Sequence, residues 1–322
     1  MKIKTITVIG CGRWGSFIAK YLADLGHAVT LYGRETSKNM QQLRLTRENA
    51  LMRLPESVLL SGDLPTAISN ADIVLISIGS QQLRGLCGEL RKAGFTRGTV
   101  VLSMKGLEIA SGKRLSTIVA EELGADVHTA VWLGPGHVQD FCRGVPNCMV
   151  IDSTHEETKC MLIEAFSSKL IRFYYGQDMI GNEIGAAAKN VIGIAAGLLD
   201  GMELSPLKGA LMSRGTREIA RLIKALGGNE LSAYGLCHLG DYEATVFSPH
   251  SHNRAFGEAF AKGVPFTALA EGYYTVRGLV TLASSFAVEL PICRTVEDVL
   301  YRGAPARAAL LSLFERSLKN EF

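Results

Sequence analysis

Short apolar runs alternate with amphipathic segments along the first half of the 322-residue chain. Runs rich in β-branched residues, such as residues 6–9 and 28–32, predict buried strands, while residues 81–93 and 113–123 have the apolar spacing of helices. Strands and helices that alternate in this way are typical of a mostly parallel sheet covered by helices, with antiparallel strands added near its end. We therefore predict an α/β fold in which residues 1–179 form a doubly wound, Rossmann-type dinucleotide-binding domain.

The strand pattern stops after about residue 178, and the remainder has the spacing of helices, as in residues 207–226 and 266–288. We predict that residues 180–322 form an all-helical substrate-binding domain. Its first helix carries Lys189 on a face of small residues. A lysine enclosed by small apolar side chains is desolvated, which disfavours its charged form and lets it exchange a proton near neutral pH. The other interpretation is a buried packing helix whose lysine pairs with a carboxylate or reaches the surface.

A glycine-rich turn, GCGRWG at residues 10–15, links the first predicted strand to the first predicted helix. Its glycines have separate roles: Gly10 allows a tight turn, Gly12 allows the backbone to approach a pyrophosphate, and Gly15 allows the helix to pack closely on the strand. The N-terminus of the helix then faces the negative charge of the phosphates. In this context the turn predicts a dinucleotide site.

The second predicted strand ends at Arg34 and Glu35. An NAD-selective site usually places an acidic residue here to bind the ribose hydroxyls, whereas an arginine can bind the 2′-phosphate of NADP. A solvated loop charge is an equally good interpretation of Arg34, and Glu35 keeps NAD open. We expect NADP or NAD as the cofactor, with NADP favoured.

The composition of the chain argues against several classes of protein. The chain has 34 basic and 31 acidic residues, interspersed along its length, a pattern that argues against a nucleic-acid surface. Its seven cysteines are scattered without a Cys-x-x-Cys pair, and its histidines lack metal-ligand spacing, so we expect a reducing compartment and no metal. Because Lys189 and Asn190 break the longest apolar stretch, and no signal peptide is recognisable, we expect a cytoplasmic protein without membrane insertion.

Eight separate motifs are spread along the chain. They are GCGRWG, SMKGLE, LGPGHVQDFCRGVPN, EIGAAAKNVIGIAAGLLDG, SRGTREIARL, LGDYEAT, HNRAFG and AEGYYT. In this order they resemble the NAD(P)-dependent glycerol-3-phosphate dehydrogenase family over nearly the whole chain. The resemblance implies hydride transfer between NAD(P)H and a small phosphorylated substrate, dihydroxyacetone phosphate or sn-glycerol 3-phosphate. It also implies a supply of glycerol 3-phosphate for phospholipid synthesis, and it is compatible with a homodimer.

The resemblance also implies roles for individual residues. Lys189 falls on the family's catalytic lysine, and Lys105 on a second lysine that touches both substrate and cofactor. Asp241 falls on the acidic residue that binds substrate and orients the catalytic lysine, although by itself it would be interpreted as a helix cap. Asn190 completes the catalytic set. Further substrate contacts are implied for Gly134, Gly136, Ser251 and Asn253, and further cofactor contacts for Gly10, Gly12, Arg13, Trp14, Gly15, Arg34, Val138 and Glu271.

One departure from the family pattern bears on the substrate. Where the family carries an arginine that contacts the substrate phosphate and the cofactor, this chain has His252, which offers fewer donors. Either Arg254, Lys105 and the helix ends hold the phosphate, or the enzyme reduces another small keto compound. A dinucleotide-binding sensor without turnover is a second alternative. It has no need of Lys105, Lys189 and Asp241 together.

Overall fold

The computed structural model describes residues 2–315, and its contacts divide the chain into two units. Unit 1 contains the residues up to Lys105 together with Arg114–Glu183. Unit 2 contains Gly106–Lys113 together with the residues from Ile184 onward. A short excursion after Lys105 therefore belongs to the second unit although it lies early in the sequence.

The change from unit 1 to unit 2 occurs inside a helix, Met179–Gly201, which continues from one unit into the other. A helix that crosses the boundary leaves no linker in the sequence to mark it. The domain ranges 1–179 and 180–322 stay a prediction, and residues 316–322 of the second range lie outside the described residues.

Unit 1 is built on one sheet of eight strands within the described residues, in the order β3-β2-β1-β4-β5-β6-β7-β8. The strands are β1 Thr5–Ile9, β2 Ala28–Tyr32, β3 Leu59–Ser61, β4 Ile73–Ile76, β5 Gly98–Leu102, β6 Val127–Leu133, β7 Asn147–Ser153 and β8 Ile171–Tyr175. Neighbouring strands are parallel, except that β6 and β7 are antiparallel. The α/β prediction, with antiparallel pairing near the end of the sheet, is confirmed.

The strand order reverses direction at β1, which lies between β2 and β4. In open parallel sheets, ligands bind outside the carboxyl ends of the strands at such a reversal. Both β1 and β4 are almost wholly buried, as strands in the middle of a sheet covered on both faces must be. The turn that follows β1 is the glycine-rich turn predicted to bind a dinucleotide.

The helices of unit 1 follow the strands in alternation. They are α1 Arg13–Asp24, α2 Lys38–Thr46, α3 Leu64–Ile68, α4 Leu83–Lys92, α5 Leu115–Leu123, α6 Val138–Cys142 and α7 Glu156–Phe166. An aromatic cluster fixes α1 in place: the ring of Phe17 stacks on Phe141 at 5.2 Å and on Trp14 at 5.4 Å between ring centroids. Trp132 on β6 meets the edge of Trp14 at 6.3 Å. This packing holds the start of α1, and with it the glycine turn, against the sheet.

The described part of unit 2 is helical apart from its loops. Its helices are the C-terminal part of α8 Met179–Gly201, then α9 Lys208–Ala225, α10 His252–Ala261, α11 Glu271–Ser285, α12 Pro291–Arg302 and α13 Ala306–Leu311. The helix predicted over residues 266–288 begins five residues later than expected. Its first turn contains Gly272, whose backbone N–H donates to the side chain of Asn253 at 2.9 Å.

Helices α8 and α10 approach each other closely. A Cβ at Gly197 would lie 1.9 Å from the carbonyl oxygen of Arg254, and one at Gly257 would lie 2.2 Å from the carbonyl oxygen of Ile194. Glycine at both positions therefore permits the crossing. Helix α8 is the one described helix long and apolar enough to cross a membrane, but 89% of its most apolar window is buried inside the protein. It is the core helix of this fold.

Candidate active site

The glycine turn after β1 has the geometry of a phosphate-binding loop. Gly10 has a φ of +112°, and a Cβ there would lie 2.1 Å from the carbonyl oxygen of Ser77. A Cβ at Gly15 would lie 1.9 Å from the carbonyl oxygen of Gly10, so neither position accepts a side chain. Gly12 is the N-cap residue of α1 and makes no side-chain capping bond, and open space lies beside its Cα. The turn therefore leaves the N-terminus of α1 facing the place where an anion would bind.

Arg34 lies directly after β2 and is exposed. Its neighbour Glu35 is held by a residue that no sequence motif indicated: the two guanidinium nitrogens of Arg44 donate to the two carboxylate oxygens at 2.5 and 2.7 Å. The carboxylate of Glu35 also lies against Gly62, where a Cβ would meet it at 1.8 Å. The carboxylate of Glu35 is therefore held by Arg44 on α2, with the Glu35 side chain 59% exposed.

Lys105 and the Gly134 loop lie together in unit 1. Lys105 follows β5 and donates from Nζ to the carbonyl oxygen of Gly134, which follows β6, at 2.9 Å. Gly134 has a φ of +129° and Gly136 a φ of +141°, and a Cβ at Gly136 would lie 2.4 Å from the ring of Phe141. Val138 is buried and is the first residue of α6. Arg13 and Trp14 are the first two residues of α1. The carboxyl ends of adjacent strands thus bring these predicted positions to one edge of the sheet.

Lys189 lies in unit 2 with its ammonium group enclosed. It is 8% exposed, and its Nζ lies 2.9 Å from Oδ2 of Asp241, which is 1% exposed. Nζ also donates to Oγ1 of Thr245 at 2.7 Å. Asp241 ends a 3₁₀ turn, Leu239–Asp241, and Thr245 lies in the π-helical turn that follows it. The structure brings the predicted lysine and aspartate together and adds Thr245, which lies in the motif LGDYEAT but was not predicted as a site residue.

The carboxylate and the hydroxyl fix the direction of the Lys189 side chain. An ammonium group has three N–H donors, and the two contacts to Asp241 and Thr245 use two of them. Gly193, one turn later on α8, makes room for this arrangement, because a Cβ there would lie 2.8 Å from Cγ2 of Thr245. The site is thus a buried cation on a rigid helix, held by an anion and a neutral acceptor.

Asn190 and Asn253 form a second connected pair beside Lys189. Nδ2 of Asn253 donates to Oδ1 of Asn190 at 3.0 Å, and Oδ1 of Asn253 accepts the N–H of Gly272 at 2.9 Å. Since Oδ1 of Asn190 is the acceptor, the amide nitrogen of Asn190 keeps both hydrogens for another partner. The bond to Gly272 lies in the first turn of α11, whose first residue is the predicted cofactor contact Glu271.

The N-terminus of α10 carries the remaining predicted substrate contacts. Ser251 caps the helix by accepting the N–H of Arg254 at 3.3 Å, and His252 is the first helical residue. Nδ1 of His252 lies 3.3 Å from the carbonyl oxygen of Leu269. Because a carbonyl only accepts, this contact places the proton on Nδ1 and makes Nε2 of the neutral ring an acceptor.

Arg254, the expected substitute for the missing arginine, is engaged elsewhere. Its NH1 donates to Asp200 at 2.8 Å and to Glu258 at 2.9 Å, and its Nε donates to the carbonyl oxygen of Ser248 at 3.2 Å. Asp200 also binds Lys208 at 2.6 Å. The guanidinium group of Arg254 is thus held by two carboxylates inside unit 2, and we do not include Arg254 among the proposed phosphate contacts.

The seven cysteines are all free thiols. Among residues 2–315 no group of three or more His, Cys, Asp or Glu side chains could hold a metal ion. The ionisable side chains that the structure does bring together in unit 2 include Lys189 and Asp241.

Two family models match the chain in succession. Residues 5–159 match the model described as NAD-dependent glycerol-3-phosphate dehydrogenase N-terminus, and residues 178–311 match the model described as its C-terminus. Together they cover most of the chain, including the glycine turn and the Lys189 helix.

Curated relatives match over their full length. A glycerol-3-phosphate dehydrogenase (NAD(P)+) from Prosthecochloris aestuarii is 34% identical over 330 residues, which cover 98% of this chain and 99% of the relative. Another of the same name from Moorella thermoacetica is 36% identical over 331 residues, covering 99% and 98%.

Solved structures are also similar to this chain. The crystal structure of glycerol-3-phosphate dehydrogenase from Coxiella burnetii has a TM-score of 0.91 at 28% identity and covers 98% of this chain and 99% of that one. A ketopantoate reductase from Ralstonia eutropha, at 15% identity and a TM-score of 0.62 over 96% of this chain and 100% of its own, shows a related fold only.

Proposed function

The chain belongs to the NAD-dependent glycerol-3-phosphate dehydrogenase family, and from this premise we propose how its own residues carry out the reaction. It is an oxidoreductase that transfers a hydride between NAD(P)H and dihydroxyacetone phosphate. The ketone, NAD(P)H and one proton yield sn-glycerol 3-phosphate and NAD(P)+. The observation that carries the assignment of roles is the buried ammonium of Lys189 between Asp241 and Thr245.

A nicotinamide dinucleotide, when bound, supplies the hydride. The glycine turn fits such a group, because Gly10 and Gly15 exclude side chains while Gly12 leaves open space before α1. We assign the pyrophosphate to this turn and the adjacent contacts to Arg13 and Trp14. Lys105 and the Gly134 loop lie at the same edge of the sheet, and Val138 begins the helix that follows this loop.

Lys189 is the proton donor in this assignment. Hydride addition places negative charge on the carbonyl oxygen, and an ammonium beside that oxygen both stabilises the charge and releases a proton to it. Asp241 and Thr245 hold Nζ by two contacts, which fix its position and orientation on the helix. In the oxidation direction the neutral amine takes the proton of the hydroxyl group. Asn190 offers its amide nitrogen beside the lysine on the same helix.

The substrate phosphate is assigned to the start of α10. The first N–H groups of a helix attract an anion, and Ser251 leaves the N–H of His252 and Asn253 outside its own capping bond. His252 adds a full charge there only when its imidazole is protonated. This phosphate site is therefore weaker at high pH than one built with arginine.

The cofactor preference follows from Arg34 and Glu35. With both oxygens of Glu35 bound to Arg44, the acid that would favour NAD is withdrawn, while Arg34 remains at the end of β2. Arginine binds a phosphate through a charge-assisted fork. We propose that the enzyme prefers NADP(H) over NAD(H).

One observation favours a second candidate, a reductase of another small keto compound: His252 replaces the expected arginine, and Arg254 is bound to Asp200 and Glu258. The test is the rate of NADPH and NADH consumption with dihydroxyacetone phosphate beside a panel of unphosphorylated and carboxylated ketones. A kcat/KM for dihydroxyacetone phosphate that exceeds every other ketone supports the main proposal. A higher value for a ketone without phosphate overturns it.

The biological setting is part of the proposal. Free thiols throughout the chain support a cytoplasmic enzyme, and the family supports a role in supplying glycerol 3-phosphate for phospholipid synthesis. A homodimer stays a prediction, and sedimentation of the purified protein measures it directly.

A further inference from the structure

A buried histidine and tyrosine lie beside the Lys189 pair without a role in the proposed reaction. His238 and Tyr242 are both 0% exposed. Nδ1 of His238 lies 2.8 Å from the carbonyl oxygen of Gly185, and Nε2 lies 2.7 Å from the hydroxyl oxygen of Tyr242. The two rings also meet edge to face at 4.9 Å between centroids. Both nitrogens of the imidazole are therefore bonded inside unit 2.

The direction of these hydrogen bonds is determined by the acceptors. A carbonyl oxygen cannot donate, so Nδ1 of His238 carries the proton that bonds Gly185. Burial lowers the pKa of His238 to about 4, which keeps the ring neutral at pH 7 and makes Nε2 an acceptor. Burial likewise raises the pKa of the Tyr242 hydroxyl, which therefore stays protonated and donates to Nε2. The histidine thus has one tautomer and one orientation.

This bond reaches the catalytic helix one turn before the lysine. The carbonyl of Gly185 is the one that accepts the backbone N–H of Lys189 in a regular α-helix. His238 stands three residues before Asp241, whose carboxylate binds Nζ of the same lysine. One short segment therefore contacts α8 at two points, by His238 at Gly185 and by Asp241 at Lys189. Gly185 allows this approach, because a Cβ there would lie 2.9 Å from Cβ of His238.

We propose that His238 is a positioning residue for proton transfer, which sets the separation between Nζ of Lys189 and the carboxylate of Asp241, and that Tyr242 locks its ring. This inference rests on the proposed role of Lys189 as proton donor. If the link to Gly185 is lost, the segment that carries Asp241 loses one of these two attachments to α8. The carboxylate then moves relative to the ammonium, and the ammonium form of Lys189 loses stabilisation.

The ionisable groups that face this cluster come from four elements, one of which is α12 with the buried thiol of Cys293 beside Tyr242. Asp241 belongs to the same segment as His238, Lys189 projects from α8, and Glu218 on α9 acts on Tyr242. A neutral histidine leaves Asp241 as the anion paired with Lys189. A change in the contact between Asp241 and Lys189 should therefore alter the rate of proton transfer more than the affinity for the cofactor.

The test compares three variants of the full chain. His238→Leu removes both ring bonds, whereas His238→Asn keeps an N–H donor near the position of Nδ1. Glu297→Gln is the matched control, because Glu297 is a buried carboxylate of the same unit that binds Arg294 and Arg302. The measurements are kcat for ketone reduction and KM for NADPH across pH, with the melting temperature of each variant.

We expect His238→Leu to lower kcat at least about tenfold and to move the basic limb of its pH profile about one unit lower, since one pH unit corresponds to a tenfold change in the protonated fraction. KM for NADPH should stay unchanged. His238→Asn should recover most of both losses. Glu297→Gln should lower the melting temperature without moving the limb. An unmoved limb in His238→Leu, or an equal shift in Glu297→Gln, overturns the proposal.

A second measurement separates this inference from the proposed function. The pH dependence of Lys189 acetylation by acetic anhydride, followed by mass spectrometry, reports the free amine without any turnover. Wild-type protein that fails to reduce dihydroxyacetone phosphate contradicts the function, but a shift in Lys189 acetylation to lower pH in His238→Leu still supports positioning. If His238→Leu does not fold, Tyr242→Phe decides: a shift in the same direction supports the proposal, and an unchanged titration rejects it.

Discussion

Replacing His252 by arginine tests the assignment of the substrate phosphate to the start of α10. The contact of Nδ1 with the carbonyl of Leu269 makes Nε2 of the neutral ring a lone-pair acceptor, which repels an anion. An arginine at this position carries a permanent charge and a fork of donors. We therefore expect His252→Arg to bind dihydroxyacetone phosphate more tightly than the wild-type enzyme does.

The magnitude follows from one charge-assisted hydrogen bond, which contributes about 1.5–3 kcal/mol. Because residue 252 is only half-buried, solvent screens part of this energy and the lower end applies. A gain of about 1.4 kcal/mol lowers KM about tenfold. The gain should shrink as the pH falls from about 8 to about 5.5, because the wild-type imidazole then becomes charged and attracts the phosphate itself.

The assay is steady-state NADPH oxidation at several dihydroxyacetone phosphate concentrations and pH values. His250→Arg is the matched control, since it adds the same charge at an exposed position two residues before α10. An equal decrease of KM in both variants would show general attraction of the anion and not a phosphate contact. A KM that His252→Arg leaves unchanged at every pH would refute the assignment and favour a different keto substrate.

Three further outcomes are expected. Lys189→Ala should lower kcat at least about 10²-fold with KM for NADPH nearly unchanged, as measured by steady-state kinetics, whereas a variant with most of its turnover would remove Lys189 from the mechanism. Arg34→Ala should raise KM for NADPH far more than KM for NADH. Arg44→Gln, which releases the carboxylate of Glu35, should lower KM for NADH. Equal effects of Arg34→Ala on both cofactors would contradict the assignment of Arg34 to the 2′-phosphate. Because the pKa of His238 is about 4 in the folded protein and 6.5 when unfolded, its contribution to stability is present above about pH 6.5 and is lost towards pH 4. Urea unfolding should show this contribution as a slope of up to about 1.4 kcal/mol per pH unit that His238→Leu removes.

The features that the sequence predicted well are those encoded locally. The glycine turn can be predicted from sequence because its constraints are local. Gly10 has a positive φ, a Cβ at Gly15 would meet the backbone of Gly10, and both residues lie within six positions. Strand and helix alternation follows from periodicity within each segment. The start of α11 is different: the apolar pattern extends back to Phe266, but the helix begins at Glu271, where Asn253 accepts the N–H of Gly272. A helix start set by a side chain 19 residues away cannot be found from local spacing.

The same distinction applies to the ion pairs around the site. Arg44 binds the carboxylate of Glu35, yet nothing in either local sequence indicates that they pair. Arg254 was expected to help bind a phosphate, but the crossing of α8 and α10 places Asp200 beside it. In each case the deciding contact joins two elements, and its partner depends on how those elements pack. Sequence motifs identified the residue types of the site, but only the packing shows which charges are already paired.

The observed packing of the Lys189 helix accommodates both interpretations of that helix. Every fourth residue from 185 to 201 forms a row along α8, and Lys189 is the single member of that row that is not glycine. The four glycines lie, in order along the helix, against His238, Thr245, the backbone of Arg254 and the side chain of Ala261. The small face is thus a packing surface, as the conservative interpretation held. It brings the segment with Asp241 and Thr245 against the helix at the level of the lysine, and the close packing itself encloses the ammonium and supplies the two acceptors that orient it.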